Sequence, residues 1–304
     1  MVRLAIRTWE QLATGDPSAP GGASPDGPWP ASDGHPRGAE PGTRGRRPLA
    51  VLVHGLTSSS RAWWRVAPAL VERGYEILTV DLRGHGASPG ASERFGLDDL
   101  AADLAETVQA ECPGDAAWPA PALRSAPIDL LVGHSLGALV ASQLLATRPG
   151  FARRLVLEDP PGTSTTDWAA LAAGIEADSA RARTDREGLR EDLLAESPDS
   201  APGEAERRVA DLAECDAAAI AAALRREPVY DLPGLMGSVQ APTLLLIGEE
   251  SLGSALLEPD RAALISALGL GTVEVLRAGH NLHQEAFDAF MGALDRWLAG
   301  TRLD

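Results

Sequence analysis

No lysine occurs among the 304 residues, so all 27 basic side chains are arginine; with abundant Ala, Gly and Pro this is a GC-rich coding bias without functional meaning. Cysteine is scarce too. Cys112 and Cys215 could form at most one bridge, and neither lies in a C-x-x-C or Cys/His cluster, which argues against a zinc site. No run of about eighteen apolar residues is present, and the stretch from Met1 to Arg7 lacks the apolar centre of a signal peptide. The reading is a cytoplasmic protein without a membrane span. Positive charge is in deficit: 27 basic against 43 acidic residues leave a formal charge of -16, which repels phosphate backbones and anionic lipid. Nucleic acid and membrane are therefore not expected partners.

What is present suffices for a large core. The composition is 44% hydrophobic and 23% charged, and a chain of this length buries about three quarters of its unfolded surface, with no need of metal or disulfide. Gly and Pro crowd the stretch 14–48, where no apolar periodicity survives, so a flexible insertion is expected there, after a first strand from Val2 to Leu12. A second Pro-rich loop runs from Cys112 to Pro127.

Elsewhere short apolar runs alternate with Ala-rich helical patterns, the signature of a mostly parallel sheet covered on both faces. Strands are predicted at Leu49–Val53, Glu76–Val80, Ile128–Val132, Leu155–Leu157, Thr243–Ile247 and Val273–Leu276. Helices are predicted at Ala62–Arg73, Leu97–Glu111, Leu136–Thr147, Arg261–Leu268 and Gln284–Leu298. Between Thr163 and Arg226 no strand signal appears, only helical spacing divided near Gly188 and by Pro198 and Pro202-Gly203. A helical lid at 163–238 is expected, inserted into a catalytic core of 1–162 and 239–304.

The sharpest chemical signal is Gly133-His134-Ser135-Leu136-Gly137, between a predicted strand and a predicted helix. Strand, tight turn and helix form the context in which such glycines let the backbone turn and lift the Ser135 hydroxyl off the sheet as a nucleophile. The alternative role is a helix-capping serine.

With this elbow, Leu52-Val53-His54-Gly55-Leu56, Asp81-Leu82-Arg83-Gly84-His85-Gly86-Ala87-Ser88 and Ala278-Gly279-His280 occur in order. The sequence thereby resembles the α/β-hydrolase family over nearly its whole length. The resemblance implies an α/β fold, a mostly parallel central sheet flanked by helices with an inserted helical lid, and a serine nucleophile activated by a base.

Of the six histidines, His35 lies in the flexible insertion, His54 and His85 belong to turn motifs, and His134 adjoins the nucleophile. His280, on a loop after a strand, is the favoured base. His283 is expected to open the closing helix facing solvent. Most relatives carry the acid three positions after the glycine that follows the Thr243–Ile247 strand, but here that position is Ser251. Asp159, at the end of the preceding strand, is the favoured acid, as in haloalkane dehalogenases and certain lactonases; Glu249 or Glu250 is the alternative acid, and a turn before Pro160-Pro161 is the alternative, structural role of Asp159. The resemblance also implies oxyanion donors at the backbone N–H groups of Leu56 and Leu136. Trp63, Trp64 and Trp168 are candidate pocket walls, with Trp63 or Trp64 alternatively packing helix on sheet. Arg183, Arg186 and Arg190 read as a solvated helical face.

The expected function is cofactor-independent, metal-free hydrolysis of a small-molecule carboxylic ester or lactone through Ser135, His280 and Asp159. Alternatives are a thioesterase or acyltransferase of a biosynthetic pathway, and a catalytically slow hydrolase-fold binding protein. The nucleophile is Ser rather than Asp, which argues against dehalogenase or epoxide hydrolase chemistry.

Overall fold

The computed structural model describes residues 2–8, 47–90, 95–111, 128–164, 166–196, 201–226, 230–269 and 271–301. Almost all of the expected insertion 14–48, the Pro-rich loop 112–127, His35, Cys112, Pro198 and the far end of the expected first strand lie outside the described residues.

Continuous apolar runs make the strands. β1 (Ala5–Thr8), β2 (Leu49–Val53), β3 (Glu76–Asp81), β4 (Leu130–His134), β5 (Leu155–Glu158), β6 (Thr243–Ile247) and β7 (Thr272–Val275) form one seven-stranded sheet in the order β1-β3-β2-β4-β5-β6-β7. β1 pairs antiparallel with β3 from Ala5 opposite Asp81 to Thr8 opposite Leu78, and every other pair is parallel. Strands β2, β4, β5 and β6 are buried throughout, as expected for a parallel sheet covered on both faces.

The helices follow in chain order: α1 (Val66–Glu72), α2 (Leu97–Glu111), α3 (Leu136–Thr147), α4 (Trp168–Thr184), α5 (Arg186–Glu196), α6 (Glu204–Glu214), α7 (Ala217–Leu224), α8 (Leu232–Met236), α9 (Asp260–Ala267), α10 (Leu282–Glu285) and α11 (Phe287–Gly300). Period-two alternation in the strands divides their side chains between two layers. Val51, Val53, Leu131 and Leu157 pack with Leu104 of α2 and Leu144 of α3, whereas Leu52, Val132, Leu244 and Leu246 pack with Leu70 of α1 and Phe290 of α11. Each such buried side chain contributes about 1.5–3 kcal/mol.

Several expected boundaries shift, among them that of β4, which runs two residues later than Ile128–Val132. The helix expected from Ala62 begins as a 3-10 turn at Ser60–Trp63, where the Ser59 side chain accepts from the Arg61 N–H. The closing helix is two pieces parted at Ala286, because the Glu285 carboxylate turns back to accept the N–H groups of Gly279 and Asn281. The division expected near Gly188 is present three residues earlier, and Gly188 itself lies within α5. The break falls at Asp185, whose carboxylate accepts from the Gly188 N–H at 3.1 Å. A further break, after α6, is capped by Asp216 accepting from Ala219 N–H.

Helices α4 to α8 lie between β5 and β6 in the chain, and Ala172 and Ile175 of α4 share an apolar cluster with Ile220 and Ala221 of α7, against which Leu56 packs. The inserted helices thus touch the loop that leaves β2. Chain order reverses across β2: the connection from β3 crosses it to reach β4. In open parallel sheets such a switch point leaves a crevice at the carboxyl ends of the strands, here between the loops after β2 and β4.

Candidate active site

Ser135 sits at the carboxyl end of β4 with φ 51 and ψ -117, a left-handed conformation that a non-glycine residue adopts only when its surroundings impose it. They do so by close approach. A Cβ on Gly133 would lie 2.3 Å from the Gly137 carbonyl oxygen, and one on Gly137 would lie 2.2 Å from that of Val53. Only glycine permits α3 to start this near β2 and β4. The Ser135 N–H donates to the Glu158 carbonyl at 2.9 Å, and its side chain makes no capping bond to α3.

Asp159 follows β5 with φ 40 and is fully buried. Its Oδ1 accepts from the Gly248 N–H at 3.0 Å and the Ser254 hydroxyl at 2.6 Å; its Oδ2 accepts from the Ala255 N–H at 2.7 Å and from Nδ1 of His280 at 2.7 Å. Four donors hold one carboxylate in place. A carboxylate that already receives these bonds accepts a hydrogen bond from Nδ1–H, which keeps the proton on Nδ1 and leaves the lone pair of His280 on Nε2. Glu249 stands elsewhere, beside Glu250, Ser251, Arg261 and Val275 around a shallow surface depression.

Ser135, His280, Leu56 and Leu136 open on one cavity of about 880 Å³. Its walls are largely apolar, with Phe95, Leu139, Ile175 and Leu224 among them. Trp168 lines it and meets Tyr230 edge-on at 5.7 Å, and burial pushes the Tyr230 phenol up. The other two tryptophans depart from the pocket-wall expectation. Trp63 is fully buried and stacks on His283 at 4.5 Å. The Trp64 indole N–H is held by Glu204 at 2.9 Å while the Arg207 guanidinium covers its ring, so Trp64 packs between core and insertion.

His283 corrects the expectation of a solvent-facing side chain. It is buried, because Oε1 of Glu158 takes both its backbone N–H at 2.8 Å and its Nδ1 at 2.7 Å. Sequence reasoning passed over Glu158, the neighbour of Asp159; a carboxylate within an otherwise apolar strand was the available signal. His134 lies between the two imidazoles, 4.7 Å from the His280 ring and 5.2 Å from that of His283, and its Nε2 donates to the His280 carbonyl at 3.0 Å. Burial, then the two neighbouring imidazoles, push His134 well below its ordinary value.

The turn motifs brace the loop after β2. Leu82 N–H donates to Nε2 of His54 and Thr57 N–H to Nε2 of His85, each at 3.0 Å. Both rings accept a hydrogen bond at Nε2, which is therefore unprotonated, and are neutral; burial lowers both, His85 to about 3. Among the described residues no group of three His, Cys, Asp or Glu side chains is arranged to hold a metal ion, and no helix is long and apolar enough to cross a membrane.

The model of the alpha/beta hydrolase family matches residues 50–293, a span that includes Ser135, Asp159 and His280. The chain belongs to this family. As an alpha/beta hydrolase it is 32% identical over 134 residues to a pimeloyl-[acyl-carrier protein] methyl ester esterase of Aeromonas hydrophila, a match covering 43% of this chain and 46% of that protein. The match thus spans less than half of that curated relative. A longer one, 26% identical over 286 residues, joins 83% of the chain to 87% of the magnesium-chelatase 30 kDa subunit of Rhodobacter capsulatus. Among solved structures, an N-formylmaleamic acid deformylase of Pseudomonas putida superposes with a TM-score of 0.65 at 22% identity, covering 83% of this chain and 93% of that one.

Proposed function

We propose that this alpha/beta hydrolase cleaves carboxylic esters or lactones of modest size by way of an acyl-enzyme on Ser135. The observation that carries the reading is the 2.7 Å bond from His280 Nδ1 to a fully buried Asp159, with the imidazole and the elbow serine opening on the same cavity. Nε2 of His280 takes the hydroxyl proton as Oγ of Ser135 bonds to the carbonyl carbon. Charge then gathers on the carbonyl oxygen, and the N–H groups of Leu56 and Leu136 stabilise it. Collapse breaks the bond to the alcohol oxygen, which leaves with the proton from Nε2. Water attacks the acyl carbon and gives a proton to Nε2 of His280; collapse breaks the bond to Oγ, which takes that proton back from Nε2 as the carboxylic acid leaves, restoring Ser135. Asp159 stays ionised throughout, holding the imidazole tautomer and favouring the imidazolium.

Apolar walls suit an uncharged acyl chain, and helices α4 to α8 act as a lid at 163–238 that removes the reacting carbonyl from water. The esterase named among the relatives supports ester cleavage as the reaction class. The direct test is labelling by a fluorophosphonate followed by peptide mass spectrometry, with turnover of a panel of nitrophenyl esters and lactones. Labelling confined to Ser135, and lost in Ser135→Ala, is the expected result; turnover that persists in Ser135→Ala refutes the mechanism.

A further inference from the structure

We propose that Arg208 and Asp211 of helix α6 are positioning residues that hold the oxyanion loop 55–59 against Ser135, so that the inserted helices set the stabilising N–H of Leu56. The proposal rests on the serine-hydrolase reading above. Glu204, Arg208 and Asp211 are spaced four and three apart, which puts them on one face of α6. That whole face meets the segment leaving β2. Arg208 Nη1 donates to the Thr57 carbonyl, Asp211 Oδ1 accepts from the Ser59 hydroxyl at 2.7 Å and from Arg61 Nε at 3.0 Å, and Glu204 accepts from the Trp64 indole at 2.9 Å.

The loop needs such holding. Thr57 has φ 53, a conformation that is costly for a β-branched residue and persists only where neighbours over-determine it. Its N–H is fixed from the core side by His85 Nε2 and its carbonyl from the other side by Arg208. Thr57 Oγ1 in turn donates to the Leu56 carbonyl at 2.8 Å. The peptide that follows Leu56 therefore takes its orientation from a residue pinned between core and insertion, and the one that carries the Leu56 N–H has its carbonyl, that of Gly55, held by His54 Nδ1 at 2.7 Å. Thr57, Ser59 and Asp211 are all buried, so water does not readily replace a lost partner. Burial raises the Asp211 carboxyl against the pull of Arg61, and burial lowers the Arg208 guanidinium. Each charge thus depends on the partners described.

An oxyanion donor must lie at hydrogen-bond distance from an oxygen that becomes anionic only in the transition state. A displaced loop consequently slows the chemical step more than it weakens binding of substrate. The test uses the full chain with nitrophenyl butyrate as substrate and phenylboronic acid as a ligand that forms a tetrahedral anionic adduct on serine. Arg208→Met is expected to lower kcat by about tenfold to a hundredfold and to weaken phenylboronic acid by a similar factor, with KM changed by less than about threefold. Arg208→Lys, which keeps a donor for the Thr57 carbonyl, recovers part of both losses. Asp211→Asn, whose amide oxygen still accepts from Ser59, shows a smaller loss of the same kind and serves if Arg208→Met fails to fold.

Arg208 also lines the cavity; unchanged boronate affinity and kcat with a raised KM would mean that it acts on substrate binding alone and would overturn the proposal. Equal losses in the Lys and Met variants would do so as well. Wild-type protein that neither turns over the ester nor binds phenylboronic acid overturns the serine-hydrolase reading, and this proposal with it. Wild type that does both, beside an Arg208→Met variant of undiminished boronate affinity, overturns the positioning role alone.

Discussion

Two carboxylate–imidazole pairs stand side by side at the end of β5. Asp159 bonds Nδ1 of His280 at 2.7 Å, and Glu158, one residue earlier, bonds Nδ1 of His283 at the same distance. Their surroundings differ. The His280 side chain is 29% exposed and borders the cavity, whereas that of His283 is 1% exposed beneath Trp63. Every bonding direction of Asp159 that the structure uses meets a donor, while Oε2 of Glu158 and Nε2 of His283 have no hydrogen-bond partner among the described residues. A carboxylate bonded to an imidazole is common to both pairs, and in the mechanism proposed above only a ring whose second nitrogen opens on the cavity can serve as base. The turn at Asp159, with its positive φ, carries one pair to the cavity while Glu158 stays in the strand.

The comparison breaks most sharply at the bases. His280→Ala is expected to lower kcat on a nitrophenyl ester by about 10⁴-fold or more with the fold retained, and His283→Ala to leave kcat of the folded fraction within about tenfold. Equal losses would erase the distinction between the pairs. Among the acids, Asp159→Asn is expected to cost about 10³ to 10⁴-fold in kcat because the amide favours the wrong tautomer, while Glu249→Gln stays near wild type. The reverse order, read from steady-state rates, would move the acid to the end of β6.

The inner pair is expected to matter for stability instead. His283→Leu leaves the Glu158 carboxylate buried without its imidazole, and urea denaturation is expected to show a loss of about 3–5 kcal/mol. Wild-type stability in that variant would mean that the pair holds nothing. Acid titration adds a smaller, graded effect. His54, His85 and His134 are buried neutral and pushed down from the ordinary 6.5, His85 to about 3. Between those pH values the unfolded chain binds protons that the native one refuses, so their contribution is complete above pH 6.5 and is lost as pH falls toward 3. The melting temperature should decline steadily below pH 6.5; a flat profile down to pH 5 would contradict it.

Much of the fold was legible because buried parallel strands are short unbroken apolar runs, and Leu49–Val53 and Thr243–Ile247 carry boundaries that the structure repeats. The elbow was legible because its glycines answer to close approach of backbone, a local demand written in residue type. His283 was not, since an imidazole at the start of a helix reads as polar and exposed until the partner that draws it inward, Glu158, arrives from 125 residues away. Trp64 was misjudged for a similar reason: its partners Glu204 and Arg207 both belong to α6, far along the chain.

The order of apolar runs, the glycine-flanked serine and the supply of histidines follow from the sequence by itself, because periodicity and backbone sterics act between near neighbours. Which carboxylate meets which imidazole, and which helix of the insertion grips the loop after β2, depended on the folded chain. Those contacts join residues a hundred or more positions apart, and their energies exist only once burial has removed the water that would otherwise satisfy each group alone.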